Sequence, residues 1–418
     1  MILLYHKYRL KHSLIERIEY NRSMLKRIPF FSVLITSVLV AVFFLLKDSK
    51  IPKTLPQNSN QSSPIISNNR KSAGEIPNIN FSLPPDYEVR VFAKGLGKPR
   101  DLTLSPGGTL LVSDINRDRV IALPDKNGDG AADEVKVVAD VSGVHGLAFY
   151  KDKLYVANVT SVVRYNWNDE SLTAVRDREI VSLPQTSLHS SRTIAFSPTG
   201  QMFVVLGSTC NVCDEDTSRA GSVVTVSSEG GSSKVFATGL RNAAFLATNP
   251  TTGELWGIEM GRDNLGDDIP PDEVNIIREG KNYGWPNCYG NRVQDKDFDT
   301  GSNSCGNTIP PIFEIPAHSA PLGLIFIDSQ QFPSNWQGDL FVAYHGSWNR
   351  SSPAGFKVVR LNVVGNTITS SEDFLTGFLE GDNADSALAR PVDLAFDQQG
   401  NLYLSDDKSG NIFIIQKK

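Results

Sequence analysis

Apolar residues in this chain fall into two unlike patterns. One is a single block: Ile28 to Leu46 (IPFFSVLITSVLVAVFFLL) carries no charge and is close to the length a helix needs to cross a bilayer. The other, from residue 81 onward, is a series of short runs. Each reads as a strand, a turn containing Gly or Asp, and a second strand that ends in polar residues. The phrase recurs as RDLTLSPGGTLLVSD, HGLAFYKDKLYVAN, RTIAFSPTGQMFVVLG, RNAAFLATNPTTGELWGIEMG, PLGLIFIDSQQFPSNWQGDLFVAYHG and RPVDLAFDQQGNLYLSDD, six copies in all. Their spacing is about 45 to 50 residues except before the fifth copy, where an insertion intervenes, and a period near this value marks propeller blades. Third strands follow in DRVIALP, SVVRYN, GSVVTVS, EVNIIREG, FKVVRLN and NIFIIQK. There is almost no helical periodicity outside the first block, so the pattern predicts an all-β, six-bladed β-propeller over 81–418.

Charge decides how the first block is read. Seven Lys or Arg precede it (Lys7, Arg9, Lys11, Arg17, Arg22, Lys26 and Arg27) against Glu16 and Glu19, a bias that holds an amino terminus in the cytoplasm. Residues 1–27 are therefore expected to be a cytoplasmic basic segment, 28–46 an N-terminal transmembrane signal-anchor helix, and the remainder extracytoplasmic, or periplasmic. A cleaved signal peptide is the competing reading, but no small-x-small site follows Phe43-Phe44-Leu45-Leu46. Residues 47–80 are rich in Ser, Asn and Pro and read as a disordered linker. The chain is membrane-anchored on this reading. Its net charge of -5 and 21% charged residues give no basic surface, so no nucleic-acid partner is expected.

All four cysteines lie beyond the first block. Cys210-Asn211-Val212-Cys213 has the spacing of a redox motif, of half a zinc site or of a local disulfide. A four-ligand zinc site needs a second close pair, which Cys288 and Cys305 do not form, so disulfides 210–213 and 288–305 are expected in an oxidising compartment.

In a propeller the first two strands of a blade are antiparallel, so the loops before strand one and after strand two open on the same face. Arg100, His145, His189, Arg192, Arg241, Asn242, His318 and Arg390 fall before first strands; Asp114, Asn158, Gly261, Arg262, Asp263, His345, Asp406 and Asp407 fall after second strands. So many cations and imidazoles on one rim suit an anionic, oxygen-rich ligand.

The blocks HSSRTIAFSPTG, GLRN, EMGRDNLGDDIPPDEVNIIREGKNYGWP, AHSAPLGL, GDLFVAYHGSWNR and RPVDLAF resemble, in this order, the glucose/sorbosone dehydrogenase family, most closely its L-sorbosone dehydrogenase branch. The likeness runs from residue 83 to the end. It implies a six-bladed propeller that uses pyrroloquinoline quinone (PQQ) with Ca²⁺ to oxidise a sugar or sugar-derived aldehyde. Electrons would pass on to a membrane quinone or a soluble carrier. By the same resemblance His189 matches the general base and Arg241, with Asn242 beside it, the cation at the quinone carbonyl. Gly261 and Arg262 match the positions whose backbone carbonyls hold Ca²⁺. Arg390 matches an arginine that pairs with a cofactor carboxylate; Arg192 either acts similarly or braces His189. His318 and His345, with His145, would line the cofactor pocket. The glucose-oxidising branch carries a proline where this chain has Arg262, and a tryptophan near Pro316 where this chain reads Ile315-Pro316-Ala317-His318.

Two further readings complete the picture. Asp125, Asn127, Asp129 and Asp133 space oxygen donors as in a calcium loop, without its closing Glu and placed between the first two blades; an Asp/Gly turn is the alternative. Tyr283-Gly284-Trp285-Pro286 reads as a buried aromatic corner. Against the dehydrogenase stand a propeller lactonase or other hydrolase with a channel metal, which would want clustered carboxylates before the first strands, and a non-catalytic binding propeller.

Overall fold

The repeated phrase folds as a repeated sheet. A computed structural model describes residues 79–215, 219–298 and 305–418, and these form six four-stranded antiparallel blades, the third joined by a short parallel fifth strand. Blade 1 is Pro99–Leu104, Leu110–Asp114, Arg119–Leu123 and Lys136–Asp140. Blades 2 to 5 begin with Val144–Tyr150, Ile194–Phe196, Ala243–Thr248 and Pro321–Phe326. Blade 6 is Pro391–Phe396, Leu402–Asp406 and Asn411–Lys417, closed by the earliest strand among the described residues, Tyr87–Ala93. Tyr87 pairs with Lys417 and Val91 with Phe413, so the two ends of the ring are hydrogen-bonded together.

Strand chemistry follows position in the blade. Second strands such as Leu110–Asp114 and Leu340–Tyr344 are buried along their whole length, because both faces are covered by neighbouring blades. Fourth strands such as Thr367–Leu375 (TITSSEDFL) lie at the rim and are mostly exposed. The core is six clusters, each spanning one blade interface. Leu111, Val120 and Ala122 of blade 1 meet Leu147, Leu154 and Val156 of blade 2 in one of them. The closing cluster joins blades 5 and 6 through Phe341, Phe374 and Phe413. Each fully buried side chain of this size contributes about 1.5–3 kcal/mol.

First strands carry a bulge in five blades, between Pro99 and Leu102, Val144 and Leu147, Ala243 and Leu246, Pro321 and Leu324, and Pro391 and Leu394. The bulge frees backbone amides toward the next blade. Leu147 N–H donates to Asp101 Oδ1 (3.1 Å) and Leu102 N–H to Asp393 Oδ2 (2.8 Å). These buried carboxylates stitch neighbouring blades along the central channel.

Both expected disulfides are present, Cys210–Cys213 and Cys288–Cys305, which removes the zinc and free-dithiol readings. Helical structure among the described residues is limited to short 3-10 turns, and no helix there is long and apolar enough to cross a membrane. The anchor expected over 28–46, its cytoplasmic flank and nearly all of the 47–80 linker lie outside the described residues. The linker boundary moves slightly: Ile79 is already buried in the cluster between blades 5 and 6.

Candidate active site

His189 stands before the first strand of blade 3, facing Gly207 at the end of its second strand, Gln201–Leu206. A Cβ at residue 207 would lie 2.4 Å from the His189 Cβ, so only glycine lets the two segments meet. His189 Nδ1 lies 2.8 Å from Ser208 Oγ, and that hydroxyl donates to the Cys210 carbonyl (2.6 Å). A carbonyl only accepts, so the serine spends its one proton there and must accept from Nδ1–H. Nε2 is left as the basic nitrogen. It has no protein partner among the described residues. Burial, reinforced by the Arg241 charge, lowers the His189 pKa to about 3, so the imidazole is neutral throughout the physiological range.

Arg241 joins His189 through the backbone, since Ser208 N–H donates to the Arg241 carbonyl (2.7 Å). Its guanidinium is buried and its donors are all engaged. Nε donates to Asn211 O (3.0 Å), Nη2 to Asn211 Oδ1 (2.9 Å) and Asp263 Oδ2 (2.8 Å), and Nη1 to Gly261 O (3.0 Å) and, weakly, Met260 O (3.4 Å). Arg241 therefore acts on the site as a fixed positive charge. Asn242 hangs from blade 4 by its N–H to the buried Glu259 carboxylate (3.1 Å).

The Gly261–Arg262 peptide is held from both sides. Gly261 N–H donates to Asp272 Oδ1 (3.0 Å), and a Cβ at 261 would press on Pro270 and Pro271 at 2.8 Å. The Arg262 side chain turns away into a buried ion pair with Asp295 (2.6 Å), a residue of the Cys288–Cys305 insertion. The side chain is thus structural; the Arg262 carbonyl, and the second lone pair of the Gly261 carbonyl that already accepts from Arg241 Nη1, are hard-oxygen donors of the kind Ca²⁺ takes.

Blades 5, 6 and 1 supply the opposite wall. His345 Nε2 meets Asp407 Oδ1 (2.9 Å), Arg100 meets Asp407 Oδ2 (2.9 Å), and Arg390 lies 3.4 Å from His345 Nδ1. Burial alone would raise the Asp407 pKa, but the His345 hydrogen bond and the Arg100 charge hold it below the ordinary carboxylate range. His345 is lowered by burial, against the pull of Asp407. His318 Nε2 contacts Gly266 O (2.8 Å), and Asn349 bridges His318 Nδ1 (3.3 Å) and Asp263 Oδ1 (2.9 Å). Neither ring nitrogen of the buried His145 makes a well-aligned hydrogen bond, the Arg192 carbonyl giving only a weak contact. Arg100 Nε and Asn349 Oδ1 are likewise buried without partners. Orphaned polar atoms on one rim mark a place for a polar ligand. Trp348, 69% exposed, rises from the same loop as His345 and Asn349.

Of the two readings of Arg192 the brace holds and the cofactor contact does not, and the placement of one loop changes. Arg192 does not reach the pocket: fully buried, it donates to His189 O (3.1 Å), Ser191 O (2.8 Å), Pro184 O (3.1 Å) and Thr186 Oγ1 (2.9 Å), bracing the loop that carries His189. The Asp125–Asp133 loop does not join blades 1 and 2; it connects the third and fourth strands of blade 1, on the face away from His189. There Asp125 accepts from Gly130 N–H (2.9 Å), Asn127 from Asp129 N–H (2.9 Å), Asp129 from Ala131 N–H (3.0 Å) and Asp133 from Lys126 N–H (2.7 Å), the bonding of an Asx-rich turn. Ser208 and Asn211 were not singled out by sequence; both sit in a polar loop with no periodic signal, and only the adjoining Cys-x-x-Cys marks the place. Trp285 is an aromatic corner that also donates to Asn211 O (3.2 Å).

Comparison with known proteins bears on the fold and the family. A pyrroloquinoline quinone-dependent sugar dehydrogenase of Hypocrea jecorina is 26% identical over 388 residues, covering 79% of this chain and 88% of that protein. A pyrroloquinoline quinone-dependent pyranose dehydrogenase of Coprinopsis cinerea is 26% identical across 82% of this chain and 55% of its own length. A solved calcium structure of a Trichoderma reesei carbohydrate-active enzyme of family AA12 shares the fold, with a TM-score of 0.73 and 23% identity over 83% of this chain and 100% of that one. Residues 81–418 match the TrAA12-like family as a whole, and the chain belongs to that family.

Proposed function

We propose that the chain is a PQQ-dependent sugar oxidoreductase that takes a sugar or sugar-derived aldehyde hydrate, with His189 as general base. The observation that carries the reading is the fixed tautomer of His189, bare at Nε2 and set beside the Arg241 charge. PQQ fits the rim because the unpartnered Arg100 Nε–H and a ring N–H of His145, with Arg390, offer donors to its carboxylates, the unpartnered Asn349 Oδ1 offers an acceptor to its ring N–H, and the Gly261 and Arg262 carbonyls suit Ca²⁺. Bound there, PQQ would supply the oxidising quinone and Ca²⁺ the Lewis acid that the polypeptide lacks. His189 Nε2 accepts the hydroxyl proton of the substrate. Arg241, immobilised by Asn211 and Asp263, sets a positive potential that favours negative charge developing in the pocket. Exposed Trp348 offers the apolar face of a sugar a platform at the mouth.

The supporting setting is a tethered, extracytoplasmic enzyme handing electrons to a membrane quinone or soluble carrier; two disulfides and no free cysteine suit an oxidising compartment. The test is reconstitution of the purified protein with PQQ and Ca²⁺, followed by dye reduction with aldoses, sorbosone and simple aldehydes. His189→Ala should keep PQQ binding and lose about 10²–10⁴-fold in kcat. Failure to reduce dye with every sugar and aldehyde would overturn the proposal.

A further inference from the structure

The disulfide Cys210–Cys213 closes a turn in the loop after the second strand of blade 3, and that turn is linked by hydrogen bonds to both groups assigned to the chemistry. Cys210 contributes its carbonyl to Ser208 Oγ, which orients His189. Asn211, enclosed between the two cysteines, presents two acceptors to Arg241. Its carbonyl takes Arg241 Nε (3.0 Å) and Trp285 Nε1 (3.2 Å); its side-chain oxygen takes Arg241 Nη2 (2.9 Å) and Asp263 N–H (2.9 Å); its Nδ2 donates to Asp263 O (3.2 Å). One residue thus fixes the guanidinium and the first residue after the Gly261–Arg262 peptide. On the far side of the loop, Glu215 grips Thr209 through its N–H (2.7 Å) and hydroxyl (2.9 Å).

A bridge that merely stabilised an external loop would have no need of these contacts. A short polar loop left open samples many backbone states, whereas acceptors that set a tautomer must be held to within about 0.5 Å. We infer that the Cys210–Cys213 turn is a positioning device for the proton-accepting site, with Ser208 and Asn211 as its positioning residues. The inference rests on the assignment of His189 and Arg241 above. It makes the site sensitive to reduction: an external dithiol that gives two electrons and two protons to the bond leaves two thiols, is itself oxidised to a disulfide, and frees Cys210 O and Asn211 from their places.

The test reads His189 directly, without cofactor. In apo protein labelled with ¹⁵N-histidine, with the His189 signal identified by its loss in His189→Gln, the wild type is expected to show a single Nδ1–H tautomer. Ser208→Ala and the double variant Cys210→Ser/Cys213→Ser should show mixed tautomers, while Cys288→Ser/Cys305→Ser leaves the His189 signal unchanged. With PQQ and Ca²⁺ loaded, Asn211→Ala should lower kcat about 10-fold or more with sugar KM within about 3-fold, since the loss lies in the transition state. An unaltered His189 tautomer in the double variant, or unaltered kcat in Asn211→Ala, would overturn the inference. Absence of turnover in the wild type would instead count against the proposed function, and the tautomer measurement would still decide this point.

Discussion

At the scale of single residues, the site works by removing freedom from a few polar groups. Ser208 can only accept from His189 because its own proton is committed to Cys210, so one hydroxyl selects the tautomer. Burial and Arg241 both disfavour the imidazolium, and the pKa of about 3 has a direct kinetic consequence. The base stays deprotonated well below its ordinary titration range, so kcat/KM should be level between about pH 5 and 8. An acid limb centred near the ordinary histidine value would show that His189 is exposed during turnover. Trp348 acts at a different stage: Trp348→Ala should raise sugar KM several-fold more than it lowers kcat, measured by steady-state kinetics over a series of aldoses. Little of this was legible in sequence. His189 and Arg241 are marked by their place before first strands, but Ser208 and Asn211 look like loop filler until the fold brings the loop of blade 3 against blade 4. Arg192 stayed open between pocket and brace for a related reason: a charge next to a strand reads the same whether it faces a pocket or turns back on its own loop.

At the scale of elements, the insertion between the third and fourth strands of blade 4 and the bulged first strands carry the next level of control. Asp295, 2% exposed, receives the Arg262 side chain, and its removal would leave that buried guanidinium only the solvent-exposed Asp297 (3.1 Å) as a counter-charge. Asp295→Ala should cost about 3–5 kcal/mol in urea unfolding and weaken Ca²⁺ binding by calorimetry. In the channel, burial raises Asp393 to about 7, and burial with the Asp393 charge also raises Asp101. A carboxyl raised on folding lends stability that is complete below its unfolded pKa and is lost as pH rises through the folded value. The urea midpoint should therefore fall between pH 5 and 8, and Asp393→Asn, which keeps an acceptor for Leu102 N–H, should flatten that dependence. First, second and third strands were legible because they are apolar runs between Gly or Asp turns. Fourth strands such as Thr173–Ser182 (TAVRDREIVS) were not, since solvent at the rim lets charged residues replace the alternation that identifies a strand.

At the scale of the whole molecule, the architecture is a ring whose closure depends on one long-range pairing. The alternation of Tyr87–Ala93 is readable as a strand, but nothing local tells it to pair with Asn411–Lys417 at the other end of the chain. Val91, 3% exposed and opposite Phe413, tests the closure: Val91→Asp buries an unpaired charge and should lower the melting temperature by several degrees or more in calorimetry. The same closure sets a rule for biosynthesis. In the order of synthesis Tyr87–Ala93 precedes the other strands of the ring and its partner Asn411–Lys417 follows them, so the nascent propeller carries an open β-edge until Asn411–Lys417 has been made. A premature stop anywhere before Asn411 leaves that edge without its mate, and such truncated products are bound for proteolysis or aggregation rather than for a smaller working ring.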